Sequence, residues 1–344
     1  MILTVGLSQH ACGTLSQDSS NVKYIVTTGF AQDEIFRIED QSCYKAEMML
    51  YLTNMQNKYE NVYGSQIWEA NSNNITLEDN VKDVVLAKLA QLKCMQLLAR
   101  EYQITLTEEE TNKVKVATNE YYEALTEEEI AAMGINKDTV ELLYREYLLA
   151  TKVYEYMIQD VNPEISDDEA RSIKVQSILI KTNYVDENGK LVPYSEEEKK
   201  EAKQKALTVV EKVEEGIAFD ELVDDYNEDS QSIYSFGKGD MEEAFETAAY
   251  NLDTDEVSGV VETQYGYHII KCLSTFDEME TNANKQKILT QRKNEAFNEA
   301  YQEYVLGLSK YINEESFEDI SLLKEENVTT SNLFEVYGKY FSEV

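Results

Sequence analysis

Residues 236–249, FGKGDMEEAFETAA, and 257–271, VSGVVETQYGYHIIK, decide the fold of the middle of this chain. Gly237 and Gly239 flank Lys238 and mark a turn. Phe245, Ala248 and Ala249 then recur at helical spacing, so a short helix follows. The second stretch is rich in β-branched and aromatic residues on both sides of Gly266, which reads as two strands joined by a turn. Upstream, IKVQSILIK at 173–181 is another strand, and Asn188-Gly189 is a tight-turn signal. Ser195-x-x-Glu198 caps a helix carrying Ala202, Ala206, Val209, Val210 and Val213. Ala218-Phe219 opens a shorter helix with Leu222 and Tyr226, and NEDSQS at 227–232 reads as a polar loop. The order is β–α–α–α–β–β, with the strands antiparallel or mixed, which is a compact α+β domain.

Outward from this unit the period becomes helical. Lys23 to Cys43 suggests a hairpin of two short strands, one around Gly29 and one over residues 34–38. Met48, Leu52, Met55 and Tyr59 then lie on one helical face. Capping signatures at Thr76-x-x-Asp79, Thr107-x-x-Glu110 and Thr126-x-x-Glu129 open three further helices, and acidic residues crowd their first turns, where the helix dipole favours them. Leu143, Tyr147, Ala150, Tyr154 and Met157 mark a long helix, and Asn162-Pro163 ends the pattern. Beyond Leu273, Ile288, Phe297, Tyr301, Tyr304, Val305 and Leu308 form an apolar stripe that cannot be buried within its own helix, so it is expected to pack on the first helical region. Residues 313–344 are acidic with scattered aromatics and read equally as a short helix or a docking tail.

Composition narrows the function. Asp and Glu number 66 against 31 Lys and Arg, a net charge of −35 over 344 residues, so the chain repels phosphate backbones and nucleic acid is excluded as a partner. The two histidines, His10 and His268, and the four cysteines, Cys12, Cys43, Cys94 and Cys272, show no metal-ligand spacing, so neither metal nor cofactor is expected. The start, MILTVGLSQHACG, is a short apolar stretch ending in Ala11-Cys12-Gly13 and followed by a polar tether. It looks like the end of a lipoprotein signal segment, with Cys12 as the acylated residue.

Residues 172–273 resemble the parvulin family of peptidyl-prolyl cis–trans isomerases. The resemblance is carried by Val175–Lys181, Phe219-Asp220-Glu221-Leu222, FGKG-x-M-x-x-x-FE-x-A from Phe236 to Ala248, Glu256-Val257-Ser258, and V-x-T-x-x-GYHII from Val261 to Ile270. It implies that Met241 and Phe245, read as four apart on one helix, clamp a proline ring, with Phe236 beside them as a further substrate-binding residue. It also implies that His268 is the histidine of a hydrogen-bond network beneath the pocket. Ser177 stands where the family carries a second histidine, and Ser232 is nearest to the acid or thiol that faces the reacting carbonyl. Both serines are therefore read as catalytic with weakened activity.

The flanking helical segments resemble PrsA-like and SurA-like extracytoplasmic foldases. The resemblance gives a signal-like segment and tether at 1–21, a mostly helical chaperone-like domain at 22–165, a parvulin-like domain at 168–276, and C-terminal helices at 280–344 that pack on the first domain. The implied partners are unfolded or nascent secreted polypeptides containing X–Pro bonds, met outside the cytoplasm of a Gram-positive-type bacterium by a chain attached to the membrane only through a lipid. A holdase chaperone with a nearly inactive isomerase domain is the alternative.

Overall fold

In a computed structural model, residues 29–72, 75–187 and 189–341 are described. The leader at 1–21, with His10 and Cys12, lies outside them; of the first strand expected around Gly29, the described part, residues 29–33, is coil and turn. The chain divides into two units, residues 1–161 with 294–344 and residues 162–293.

The first unit opens with a hairpin, β1 (Glu34–Ile38) and β2 (Gln41–Tyr44). The hairpin therefore lies C-terminal to the expected one. Its turn is made by Glu39, which takes a left-handed backbone at φ 51° and lets the chain reverse immediately after Ile38. Four main helices and a short one follow: α1 (Lys45–Tyr63), α2 (Leu77–Glu101), α3 (Glu108–Glu123), α4 (Glu127–Met133) and α5 (Lys137–Ile158). The threonines foreseen as caps are caps: Thr76, Thr107 and Thr126 each accept the N–H of the acidic residue three positions on. Such caps contribute about 1 kcal/mol each. The core is apolar, built on residues such as Leu50, Leu89, Leu98, Val140 and Leu143.

One polar cluster interrupts that core. Lys93 lies between Glu47, at 2.5 Å, and Glu146, at 2.7 Å, and all three are at most 3% exposed. Burial pushes the Glu146 carboxyl up from its ordinary value, against the pull of Lys93. Its second oxygen has no hydrogen-bond partner among the described residues.

The second unit begins at α6 (Asp167–Ala170) and β3 (Ile173–Lys181). A small hairpin of β4 (Asn183–Val185) and β5 (Leu191–Pro193) precedes α7 (Glu196–Glu214) and α8 (Phe219–Tyr226). Then come β6 (Ile233–Phe236), α9 (Glu243–Tyr250), β7 (Val261–Glu262) and β8 (Gly266–Ser274). The four-stranded sheet runs β6-β3-β8-β7 with every neighbour antiparallel. Strand β6 is absent from the sequence reading, which continues the polar loop as far as Phe236. Ile233 and Ser235 are exposed, and the strand is defined by backbone pairing along β3 rather than by apolar alternation.

Strand alternation gives this sheet two different faces. Ile178, Ile180 and Ile269 point toward Ala206 and Val209 of α7 and Leu222 of α8. Val175, Ile270 and Cys272 point to the other side, against Phe245 and Ala249 of α9. Gly266 is required where β8 starts: its φ is +150°, and a Cβ there would lie 2.1 Å from the Ile180 carbonyl oxygen.

Helix α10 (Glu278–Leu306) carries the chain back to the first unit. Phe297 and Tyr301, in its second half, are buried in the first unit's core, where Phe297 meets Tyr154 edge-on. Strand β9 (Lys310–Ile312) joins the opening hairpin by pairing antiparallel with β1. Helices α11 (Glu314–Glu318) and α12 (Leu333–Phe341) complete the unit. Among the described residues no helix is long and apolar enough to cross a membrane.

Candidate functional site

The α9 face of the second unit collects the polar residues. Ser177 and His268 belong to β3 and β8, and the Ile270–Ser177 and His268–Leu179 pairings put both side chains on that face. His268 Nδ1 lies 3.3 Å from Ser177 Oγ, and Nε2 lies 3.0 Å from Thr263 Oγ1. A neutral imidazole has one donor and one acceptor nitrogen, and a hydroxyl can serve either, so both contacts are satisfied together.

His268 is 9% exposed. Burial lowers its pKa from 6.5 to about 4, against an opposing attraction from Asp229. At neutral pH the ring is therefore uncharged: it orients and bonds, and it carries no proton to give away as a cation.

Thr263 is fixed by a tight loop in which Thr263 and Gly266 exchange backbone hydrogen bonds. The Glu242 carboxylate, at the N-cap of α9, accepts the Gln264 N–H and ties this loop to the helix. Phe245 of α9 then lies edge-on to the His268 ring, with centroids 5.0 Å apart.

Met241 and Phe245 both pack on this side of the sheet, Met241 half-buried and Phe245 buried. They do not share a helix. Glu242 is extended and α9 starts at Glu243, because the Gly237–Asp240 turn, with Gly239 at φ 86°, still sets the backbone direction at Met241. Phe236 is 2% exposed and packs behind Phe245, with centroids 5.9 Å apart. It supports the Phe245 ring from within the core.

Ser232 meets this cluster through its backbone, its carbonyl accepting the Ser177 N–H at 2.7 Å. The charged group that acts on His268 comes from three residues earlier. Asp229 accepts the Tyr234 hydroxyl and the Ser230 N–H, each at 2.7 Å. Burial raises its carboxyl, but these bonds outweigh burial and hold it below the usual carboxylate range. The segment is pinned along β3, where Asn227 Oδ1 takes the Leu179 N–H and Glu228 Oε2 takes the Lys181 N–H. Thr263 and Asp229 are thus two members of the cluster that the sequence reading leaves unassigned. Thr263 stands five residues before His268, and that T-x-x-G-x-H spacing is the signal that would have found it. Among the described residues no group of three or more His, Cys, Asp or Glu could hold a metal ion.

Comparison with known proteins gives the family. The family described as the PPIC-type PPIASE domain matches residues 163–275. Foldase protein PrsA 3 of Bacillus cereus is 32% identical over 234 residues, which is 63% of this chain and 78% of that one. Foldase protein PrsA 3 of Bacillus anthracis is 34% identical over 196 residues, covering 54% and 65%. The crystal structure of a peptidylprolyl isomerase (PrsA) from Bacillus cereus aligns with 78% of this chain and 97% of its own, at 20% identity and a TM-score of 0.37. With an α+β fold and a PPIC-type domain that contains the whole His268 cluster, the chain belongs to the PrsA family of foldases.

Proposed function

We propose that the second unit catalyses cis–trans isomerisation of X–Pro bonds in unfolded polypeptides, and that the first unit holds those polypeptides. The observation that carries this reading is the neutral, buried His268 bracketed by Ser177 and Thr263 beneath Phe245. Uncatalysed X–Pro rotation takes tens to hundreds of seconds, because the amide must lose conjugation to turn. The twisted amide is less polar than the planar one, so an apolar wall favours it over the ground state. In this reading Phe245 and Met241 grip the proline ring, Phe236 backs them, and the His268 network fixes the floor on which they stand. Asp229 faces the carbonyl side in this reading, a role that the family resemblance gave to Ser232. Ser177 replaces the family's second histidine with a neutral hydroxyl, so turnover is slow.

The domains follow the same division: an isomerase domain at 168–276, and a chaperone domain built from 22–165 and 280–344. The clients are unfolded or nascent secreted proteins. The setting is extracytoplasmic, on the membrane of a Gram-positive-type bacterium through lipid on Cys12. The neutral Ser177 also favours a second reading, a holdase whose isomerase domain turns over little.

Two assays run side by side separate the readings: relaxation of a short X–Pro peptide, and suppression of aggregation of a denatured protein. Isomerisation above background supports the first reading. Suppression without isomerisation leaves the second, and the absence of both removes the foldase function altogether.

A further inference from the structure

Between α11 and α12 the chain runs from Ile320 to Asn332 without helix or strand, apart from a turn at Glu326 and Asn327. An irregular segment usually lies on the surface and gives its backbone to water. Here side chains of the first unit take water's place. The Gln56 amide pairs with Leu323 as a neighbouring strand would, donating to its carbonyl at 2.6 Å and accepting its N–H at 3.0 Å. Asn57 donates to the carbonyls of Val328 and Thr330 at 3.1 and 2.8 Å. Glu129 of α4 accepts the N–H groups of Thr329 and Thr330, and Glu78 of α2 accepts that of Leu322. The aliphatic side chains of Leu322, Val328 and Leu333 are buried. Beside the strap the surface opens into a cleft of about 540 Å³ that includes Trp68 and Glu60.

This arrangement reads a main chain and is indifferent to most of its sequence. Amides recognise N–H and C=O groups and carboxylates recognise N–H groups, which every unfolded polypeptide offers, and the sockets take aliphatic side chains, which an unfolded polypeptide exposes along its length. Gln56, Asn57 and Glu129 are themselves buried. Such groups are costly to bury unpaired, so they need a polypeptide or water against them. Charge is unbalanced where the strap meets the groove, because Glu325 and Glu326 of the strap and Glu60 and Glu78 of the groove line one cleft with a single cation among the described residues, Lys324.

We propose that the groove formed by α1, α2 and α4 is a binding site for extended, aliphatic, neutral-to-basic polypeptide, and that residues 320–333 occupy it as an internal substitute that a client displaces. The proposal rests on the chaperone reading of the first unit and adds its site. A tethered strap acts at an effective concentration on the order of millimolar, so it excludes weak ligands and yields to a long unfolded chain that makes further contacts.

The test uses the full chain and a fluorescein-labelled peptide of the 320–333 sequence, ISLLKEENVTTSNL, alone and carrying Glu325→Lys with Glu326→Lys. Leu322→Ser with Val328→Ser loosens the strap from its own side. Those variants should bind the peptide at least tenfold more tightly than wild type, and the lysine-bearing peptide more tightly still. Adding Gln56→Ala and Asn57→Ala to the loosened chain should abolish the gain, because the groove has lost its grips. Binding that persists in the combined variant means generally exposed apolar surface and overturns the proposal. A loosened, folded chain that binds no better than wild type also overturns it.

Should the loosened chain not fold, hydrogen exchange on wild type decides. Saturation with reduced, carboxamidomethylated hen lysozyme, an unfolded and basic chain, should speed exchange at Leu322, Leu323, Thr329 and Thr330. Bound client with unchanged exchange refutes the strap alone, whereas the absence of client binding in every form refutes the chaperone reading as well.

Discussion

Thr263→Val isolates the contact that fixes His268. Valine keeps the shape of threonine and puts a methyl in place of the hydroxyl. In the wild type that hydroxyl lies 3.0 Å from His268 Nε2, 3.2 Å from the Tyr265 N–H and 3.3 Å from the Gly266 carbonyl. Two of these losses are repaired locally. Tyr265 is exposed, so its N–H turns to water, and the Gly266 carbonyl keeps its bond from the Thr263 N–H at 2.9 Å. Nε2 cannot be repaired, because His268 is only 9% exposed. Leaving such a group unpaired costs about 1–3 kcal/mol. If the loss falls on the step that turns the amide, the rate drops by about 5- to 150-fold. Relaxation of a cis X–Pro peptide followed by NMR gives the rate, and a denaturant melt gives the stability. Thr263→Ser retains the hydroxyl and should stay near wild type in both. Equal behaviour of the valine and serine variants would refute the claim that this hydroxyl positions the ring.

Three other outcomes follow from the same geometry. Phe245→Ala removes the ring edge-on to His268, and since a buried aromatic is worth about 3–5 kcal/mol in a core, isomerisation should fall tenfold or more while Ser232→Ala costs less; the reverse order in the peptide assay would sink the clamp assignment. Between about pH 6.5 and about pH 4 the unfolded chain takes a proton on His268 that the folded chain refuses, so this residue's contribution, on the order of 3 kcal/mol, is complete above pH 6.5 and is lost on acidification; a second-unit melting temperature that does not change between pH 7 and pH 4.5 in wild type and His268→Gln alike would contradict it. Lys93→Met strands Glu47 and Glu146 in the first unit's core and should cost about 3–5 kcal/mol at neutral pH; an unshifted thermal melt at pH 7 would show that Lys93 does not hold this cluster together.

The elements readable in the sequence are those whose cause is local. Thr76, Thr107, Thr126 and Ser195 announce their helices because the cap and the acidic residue that answers it lie within four positions of each other. Residues 173–181 and 266–271 announce strands because both are buried and rich in β-branched or aromatic residues, four isoleucines and valines in the first and Tyr267, Ile269 and Ile270 in the second. Strand β6 goes unseen because it is an edge strand whose partner, β3, lies some sixty residues earlier, and its own residues alternate only weakly. β9 has three residues and takes its conformation from β1. In the site, His268, Ser177 and Phe245 are named through the resemblance of the motifs around them, GYHII, VQSILIK and FE-x-A, to the parvulin family. Thr263 is not, because its T-x-x-G-x-H spacing is a turn with no apolar period to mark it, and Asp229 is not, because its loop follows hydrogen bonds from Asn227 and Glu228 to the β3 backbone. Met241 is read as sharing a helix with Phe245, but that helix begins two residues after it.

The pairing of Phe36 with Ile312 has a consequence for the order in which the chain can fold. The second unit is one continuous run from 162 to 293 and closes within itself, whereas the first needs residues 294–344 for its third strand and for part of its core. As the polypeptide is made or threaded through a channel from its N-terminus, the isomerase fold can form while the helical unit still waits for its last segment. Closing so distant a contact is also slow, because loop entropy must be overcome before any packing is gained. A nascent chain stalled with residues 1–293 exposed should therefore protect backbone amides of β3 and β8 but not those of β1. Full protection of β1 at that length would show that the helical unit folds without its returning strand.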